Sequence, residues 1–304
     1  MADVPGFLDQ RARLAGQTAA IVGGGGGIGA GITIALAEAG VDVAICDIDA
    51  EQLEVTAAAA AALGRRVYSA VIDATDAAQL DRFYDDVTRA FGHLDVVVNV
   101  VGGTYRTNFM DLDRGGIARD IQRNYGYVVQ SVQRAVPLLR AGGRRGGSII
   151  NFTTIEAHRG AATFSVYAGA KAATTNFTRA MAVELGKEGI RLNCIAPDTT
   201  PSRGNENAMP PEIAAGYVNV PVESIGKAMA MYIPAGGAPP VEALANAVLF
   251  LASDLAAYVS GMTLHVDGGT MAAAGFLDWP HGDGFVPVAL SGTVPKIFPA
   301  EHDR

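Results

Sequence analysis

The chain holds only two cysteines, Cys46 and Cys194, in 304 residues. That excludes a disulfide scaffold, and no Cys/His cluster has zinc spacing, so no metal is expected. Charge is scarce as well. Asp, Glu, Lys and Arg make up 18% of the residues, against an ordinary share of about 25%. Acids outnumber bases 31 to 23, the formal charge is −8, and no basic stripe runs along the sequence. Nucleic acid and anionic membrane surfaces are therefore unsuitable partners. An apolar share of 49% excludes a disordered chain, and 37 glycines without a three-residue period exclude collagen. What remains is a glycine-rich globular protein large enough to bury a sizeable core.

One uncharged run is long enough to cross a bilayer. Leu14 to Ala37 spans 24 residues without a charge. Eight of the 24 are glycine, and Gly23 to Gly27 stand in a row. A helix in lipid would be poorly supported there. Asp3, Asp9, Arg11 and Arg13 precede the run, and no basic n-region leads into an apolar h-region as in a secretory leader. The run reads as strand, glycine turn and buried helix. The expectation is a soluble, cytoplasmic protein.

The rest of the chain alternates in the same way. Strands are expected at 18–22, 41–46, 67–72, 94–98, 147–152, 190–195 and 262–266. Helices are expected at 28–39, 50–63, 76–91, 167–187 and 241–251, with one long helix or two over 111–139. Gly40, Gly64, Gly92 and Gly189 stand where helices should stop. Apolar strands separated by helices of this length predict an α/β, doubly wound Rossmann fold. Its seven-stranded parallel sheet carries helices on both faces, in one domain over 1–304. Two stretches break the rhythm. Residues 198–240, proline-rich and without a clean strand, read as a substrate lid. Residues 270–304 form a tail with the only tryptophan, Trp279, beside Phe276, Phe285, Val286, Val288 and Phe298. An apolar tail is expected to pack on a sister subunit.

The glycine run carries the first chemistry. Gly24, Gly26 and Gly29 satisfy G-x-G-x-x-G, and Gly23, Gly27 and Gly29 satisfy G-x-x-x-G-x-G. Either spacing lets backbone approach a pyrophosphate at a helix N-terminus. The strand before it, the helix after it and Asp47, 18 residues beyond Gly29, supply the context that a dinucleotide site needs. A carboxylate at the end of the second strand accepts both ribose hydroxyls and repels a 2′-phosphate. No Arg or Lys lies between Gly16 and Asp47 to hold that phosphate. NAD is therefore expected rather than NADP.

Further motifs follow in order. Tyr167-Ala-Gly-Ala-Lys171 comes after the fifth strand, and Thr153-Thr154 directly follows Gly147–Phe152. Asn99-Val-Val-Gly102 follows the fourth strand, Arg191-Leu-Asn-Cys-Ile-Ala-Pro197 carries the sixth, and Tyr258–Gly269 closes the alternation. Over residues 12–269 this pattern resembles the short-chain dehydrogenase/reductase family. The resemblance implies a catalytic set of Asn124, Thr154, Tyr167 and Lys171. Tyr167 would act on the alcohol proton, Thr154 would stand where the family has Ser, Lys171 would favour the phenolate and hold the ribose, and Asn124 would support a proton relay. Tyr167 and Lys171 are one helical turn apart and share a face. The implied cofactor contacts are Gly23, Gly26, Gly27, Ile28, Gly29, Asp47, Ile48, Asp73, Ala74, Asn99, Val100, Gly102, Tyr167, Lys171, Pro197, Thr200 and Ser202. Departures from the family pattern are Val22 for a loop-bracing Thr, Val100-Val101 for Asn-Ala, and Asp198 for Gly after Pro197.

The lid stretch holds Met209, Tyr217, Val218, Ile225, Met229, Met231, Tyr232 and Ile233. Adaptable Met and Tyr surfaces suit an apolar, bulky substrate. The expected activity is NAD-dependent interconversion of a secondary alcohol and a ketone on an apolar, possibly cyclic skeleton, by a homotetramer or homodimer. A 3-oxoacyl ketoreductase, a cis-dihydrodiol dehydrogenase and a catalytically silent NAD sensor are the alternatives. Glu156 and His158 follow Thr154 closely enough to reach the substrate mouth.

Overall fold

A computed structural model of the chain describes residues 6–104, 106–142, 146–200, 215–216, 220–280 and 284–297. A short helix α1 (Phe7–Ala12) leads into strand β1 (Thr18–Val22), all five residues of which are buried. Then follow helix α2 (Gly27–Glu38), β2 (Asp42–Asp47), α3 (Ala50–Ala62), β3 (Val67–Val71), α4 (Ala77–Phe91) and β4 (Val96–Asn99). The second half continues with α5 (Arg114–Ile121), α6 (Tyr127–Ala141), β5 (Gly147–Phe152), α7 (Ser165–Leu185) and β6 (Ile190–Pro197). Helix α8 (Val222–Tyr232), helix α9 (Val241–Ala252) and β7 (Thr263–Val266) complete the main body. The seven strands form one parallel sheet in the order β3-β2-β1-β4-β5-β6-β7.

Alternation along the strands explains the two cores. On β1, Ala19 and Ile21 face one layer, and Ala20 and Val22 face the other. The first layer packs Ile32 and Leu36 of α2 with Leu244, Val248 and Leu251 of α9. The second packs Leu80, Phe83 and Tyr84 of α4 with Val128 and Leu139 of α6. Burial on both faces is what a parallel sheet requires, and it accounts for the scarcity of charge. Gly31 lets α2 meet α9 closely, since a Cβ there would sit 2.3 Å from Val241 Cγ1.

The expected strands and helices are present within a residue or two at most ends. The 111–139 stretch, read as one long helix or two, is two, α5 and α6, joined by one turn of π-helix at Gln122–Gly126. Tyr167 is the third residue of α7 rather than its first. The lid stretch contains the helix α8, while Met209, Tyr217 and Val218 lie outside the described residues. In the tail, Leu277–Asp278 pairs with Phe285–Val286 as an antiparallel hairpin, and Trp279 Nε1 donates to the Val286 carbonyl at 3.2 Å. The hairpin's first strand packs on α8 of the same chain. No helix among the described residues is long and apolar enough to cross a membrane.

Candidate active site

Strand order reverses at β1, which has β2 on one side and β4 on the other. The crevice outside the carboxyl ends of the strands opens at that point. The glycine run lies there. Gly23 turns the chain with φ 88°, and its N–H and that of Gly24 donate to the Cys46 carbonyl at 2.9 and 3.0 Å. Gly26 caps α2, which begins at Gly27. A Cβ on Gly29 would lie 1.7 Å from the Gly23 carbonyl oxygen, so only glycine fits. Turn, helix start and crossing thus fall on Gly23, Gly27 and Gly29. Val22 supplies no hydroxyl to this loop, but two threonines elsewhere brace it. Thr33 Oγ1 lies 3.0 Å from the Gly24 carbonyl and 2.9 Å from that of Gly29, and Thr56 Oγ1 donates to the Gly25 carbonyl at 2.7 Å.

Asp47 closes the same crevice. Its Oδ2 accepts the Gly25 N–H at 3.0 Å and its Oδ1 the Asp49 N–H at 3.2 Å. A carboxylate offers about four acceptor positions, so these two bonds orient it and leave capacity on both oxygens. The first N–H groups of α2 carry the positive end of the helix dipole. A glycine cradle that a Cβ would fill, a helix N-terminus and an oriented carboxylate fit a dinucleotide. Ile48 beside them is exposed, Ala74 is buried, and Asp73 Oδ1 accepts from the backbone and hydroxyl of Thr75 at 2.8 and 2.7 Å.

The side chain of Asn99 is fully buried and faces inward. Its Nδ2 donates to Asn151 Oδ1 at 2.8 Å and its Oδ1 accepts from Ser131 Oγ at 2.6 Å. It ties β4 to β5 and α6. Val100 continues the chain with its N–H on the Val22 carbonyl at 2.9 Å. Pro197 ends β6 and Thr200 is buried beyond it, while Ser202 lies outside the described residues.

Past the glycine turn, four side chains converge. Asn124 sits in the π-helical turn and is fully buried. Such single wide turns often mark functional positions. Its Oδ1 accepts the Gly103 N–H at 3.0 Å, and its Nδ2 donates to the carbonyls of Gly103 and Asp120 at 3.0 and 2.9 Å. Lys171 is buried on α7 and its Nζ donates to the Phe152 carbonyl at 2.9 Å. Burial pulls its ammonium down to about 8, against a smaller opposing pull from Cys194. One turn earlier, burial pushes the Tyr167 phenol well above its ordinary value. Hydrogen bonding with Thr154 draws it the other way, and the charges of Glu156 and Asp120 add to the rise. Thr154 caps the short turn Ile155–His158 at the end of β5.

Thr154 is not isolated. Its hydroxyl donates to Glu156 Oε2, and Arg159 Nη2 holds the other carboxylate oxygen at 2.8 Å. The same guanidinium nitrogen lies 2.5 Å from the Tyr232 hydroxyl at the end of α8. A polar chain thus runs from the sheet end to α8. His158 turns away to stack edge-on against His265, centroids 5.0 Å apart.

With this geometry in view, comparisons with known proteins agree. The family model described as enoyl-(acyl carrier protein) reductase matches residues 23–271. The chain belongs to the short-chain dehydrogenase/reductase family. As a member of that family it is an oxidoreductase that uses a nicotinamide cofactor. It is 31% identical to the 3-oxoacyl-[acyl-carrier-protein] reductase of Chlamydia muridarum over 214 residues, 68% of this chain and 77% of the relative. Carveol dehydrogenase from Mycobacterium avium in complex with NAD superposes with a TM-score of 0.78 at 28% identity, covering 86% of this chain and 99% of that one. Levodione reductase gives a TM-score of 0.77 at 27% identity, covering 85% and 99%.

Proposed function

We propose that this short-chain dehydrogenase/reductase interconverts a secondary alcohol and its ketone on an apolar, cyclic skeleton, with NAD as cofactor. The observation that carries the reading is the convergence of Asn124, Thr154, Tyr167 and Lys171 beside the glycine turn. When bound, the nicotinamide takes up or returns the hydride. Tyr167 exchanges the proton of the reacting oxygen. Lys171 favours the phenolate through its charge, and any further positive charge brought beside Tyr167 acts in the same sense. Asn124 fixes Gly103, next to the Gly102 against which Lys171 packs. Asp47 favours NAD, because a 2′-phosphate would meet an oriented carboxylate with no cation near it in sequence. The carveol and levodione neighbours are named for cyclic compounds, which supports the skeleton. Assembly as a homotetramer or homodimer belongs to the same reading.

The test is NADH formation with a panel of cyclic and acyclic secondary alcohols. Turnover of cyclic alcohols with NAD, abolished by Tyr167→Phe while NAD affinity stays within about threefold, is the expected result. Bound NAD with no turnover across the panel would favour a silent sensor. The Chlamydia relative supports one second reading, a 3-oxoacyl ketoreductase. Faster reduction of a 3-oxoacyl thioester with NADPH would select it.

A further inference from the structure

Thr154 has one proton to donate. In this structure the proton goes to Glu156 Oε2, and the Tyr167 phenol also hydrogen-bonds with the Thr154 hydroxyl. A reacting alcohol that gives its own proton to Tyr167 needs a donor from Thr154 on its oxygen. That donor is committed elsewhere. Both carboxylate oxygens of Glu156 are engaged as acceptors, one by Thr154 and the other by Arg159 Nη2. Glu156 is half-buried, with 15% of its side chain exposed. A group that donates to Glu156 Oε2 frees Thr154 to turn to the reacting oxygen.

We propose that the substrate does this itself: it carries a second hydroxyl on the carbon next to the reacting one, and Glu156 receives that hydroxyl. The inference rests on the alcohol–ketone reading and names its substrate class, a vicinal diol or the matching hydroxy ketone. Neighbouring hydroxyls on a ring lie within hydrogen-bond distance of one another. So do the Thr154 hydroxyl and Glu156 Oε2. The two pairs match end to end. The reacting oxygen meets Thr154 and Tyr167, and its neighbour donates to Glu156. Thr154 and Glu156 Oε2 each then keep a hydrogen-bond partner. A substrate with a single hydroxyl leaves Thr154 turned away. Glu156 is on this account a specificity-determining residue, and Arg159 is the positioning residue that holds it.

The experiment compares cyclohexane-cis-1,2-diol with cyclohexanol on the full-length protein. A hydrogen bond to a charged group should favour the diol about 10- to 100-fold in kcat/KM. Glu156→Ala should bring that ratio to about one, lowering diol turnover and raising that of cyclohexanol by freeing Thr154. Glu156→Gln, which keeps an acceptor without the charge, should fall between. Calorimetric binding of the diol to the NADH-loaded protein, where no turnover occurs, should weaken about tenfold in Glu156→Ala. A wild-type preference for cyclohexanol, or a ratio unmoved by Glu156→Ala, would overturn the inference and leave the alcohol–ketone reading standing. If neither alcohol is oxidised, that reading fails, and diol binding to the NADH-loaded protein still decides the role of Glu156.

Discussion

Gly102 backs directly onto Lys171: a Cβ there would stand 2.6 Å from the ammonium nitrogen and 3.0 Å from Asn124 Oδ1. The position is tight because the chain leaving β4 passes between the π-helical turn and α7. Gly102→Ala must push Lys171 off the Phe152 carbonyl or shift the turn itself. The expected result is a fall in kcat of about 10- to 100-fold, with a stability loss of about 1–3 kcal/mol from overpacking. Steady-state rates beside urea unfolding check it. A variant with unchanged kcat would mean that Lys171 yields without consequence.

Burial of Lys171 makes a signed prediction about pH. The ammonium titrates at about 8 in the folded chain and near its ordinary value of 10.5 in the unfolded one. Between those values the unfolded state binds more protons, so this group makes the fold more stable as pH rises. Below pH 8 the desolvation cost is present in full. At about 1.4 kcal/mol per pH unit, the contribution should change by roughly 3 kcal/mol between pH 7 and 10.5. Because other groups titrate in the same range, the quantity to measure is the difference between wild type and Lys171→Met. That difference should move in favour of wild type as pH rises, and a flat difference would rule out the buried ammonium.

Much of this was legible in the residues. Strand positions followed from short apolar runs ended by glycine, because parallel strands buried on both faces admit little else. That Tyr167 and Lys171 share one helix was readable from their spacing. The relations across the chain were not. Thr33 and Thr56 brace the glycine loop from helices 9 and 31 residues further along the sequence, and nothing local marks either hydroxyl for that task. Asn99 reads as a cofactor contact, yet its side chain spends both ends on Asn151 and Ser131. The partner of Arg159 is Tyr232, 73 residues away, which no periodicity announces. Glu156 is two residues from Thr154, so its proximity was readable, but the direction of the hydroxyl proton was not.

Asp47 should govern cofactor choice. Its carboxylate is oriented by the N–H groups of Gly25 and Asp49, and removing it would take away both the acceptor for ribose hydroxyls and the repulsion of a 2′-phosphate. Asp47→Ser is expected to raise KM for NAD about tenfold and to let NADP support turnover, shrinking the NAD preference by about 100-fold. Parallel kinetics with the two cofactors measure this. An unchanged ratio would place the choice outside this residue.

The contact between Arg159 and Tyr232 should act on substrate capture rather than on chemistry. Tyr232 ends α8, and its ring also lies under the guanidinium, 5.8 Å from centroid to Cζ. Tyr232→Phe keeps the ring and removes one charge-assisted hydrogen bond in a partly exposed setting. About 1 kcal/mol is a fair magnitude there, or roughly a fivefold change in an equilibrium constant. If the bond holds the lid closed, KM should rise about three- to fivefold and kcat should stay within about twofold. Tyr232→Leu, which loses the ring as well, should raise KM further. A fall in kcat at constant KM would instead mean that Arg159 acts through Glu156 and Thr154 on the reacting oxygen, so the split between the two constants reads out which end of the polar chain the lid controls.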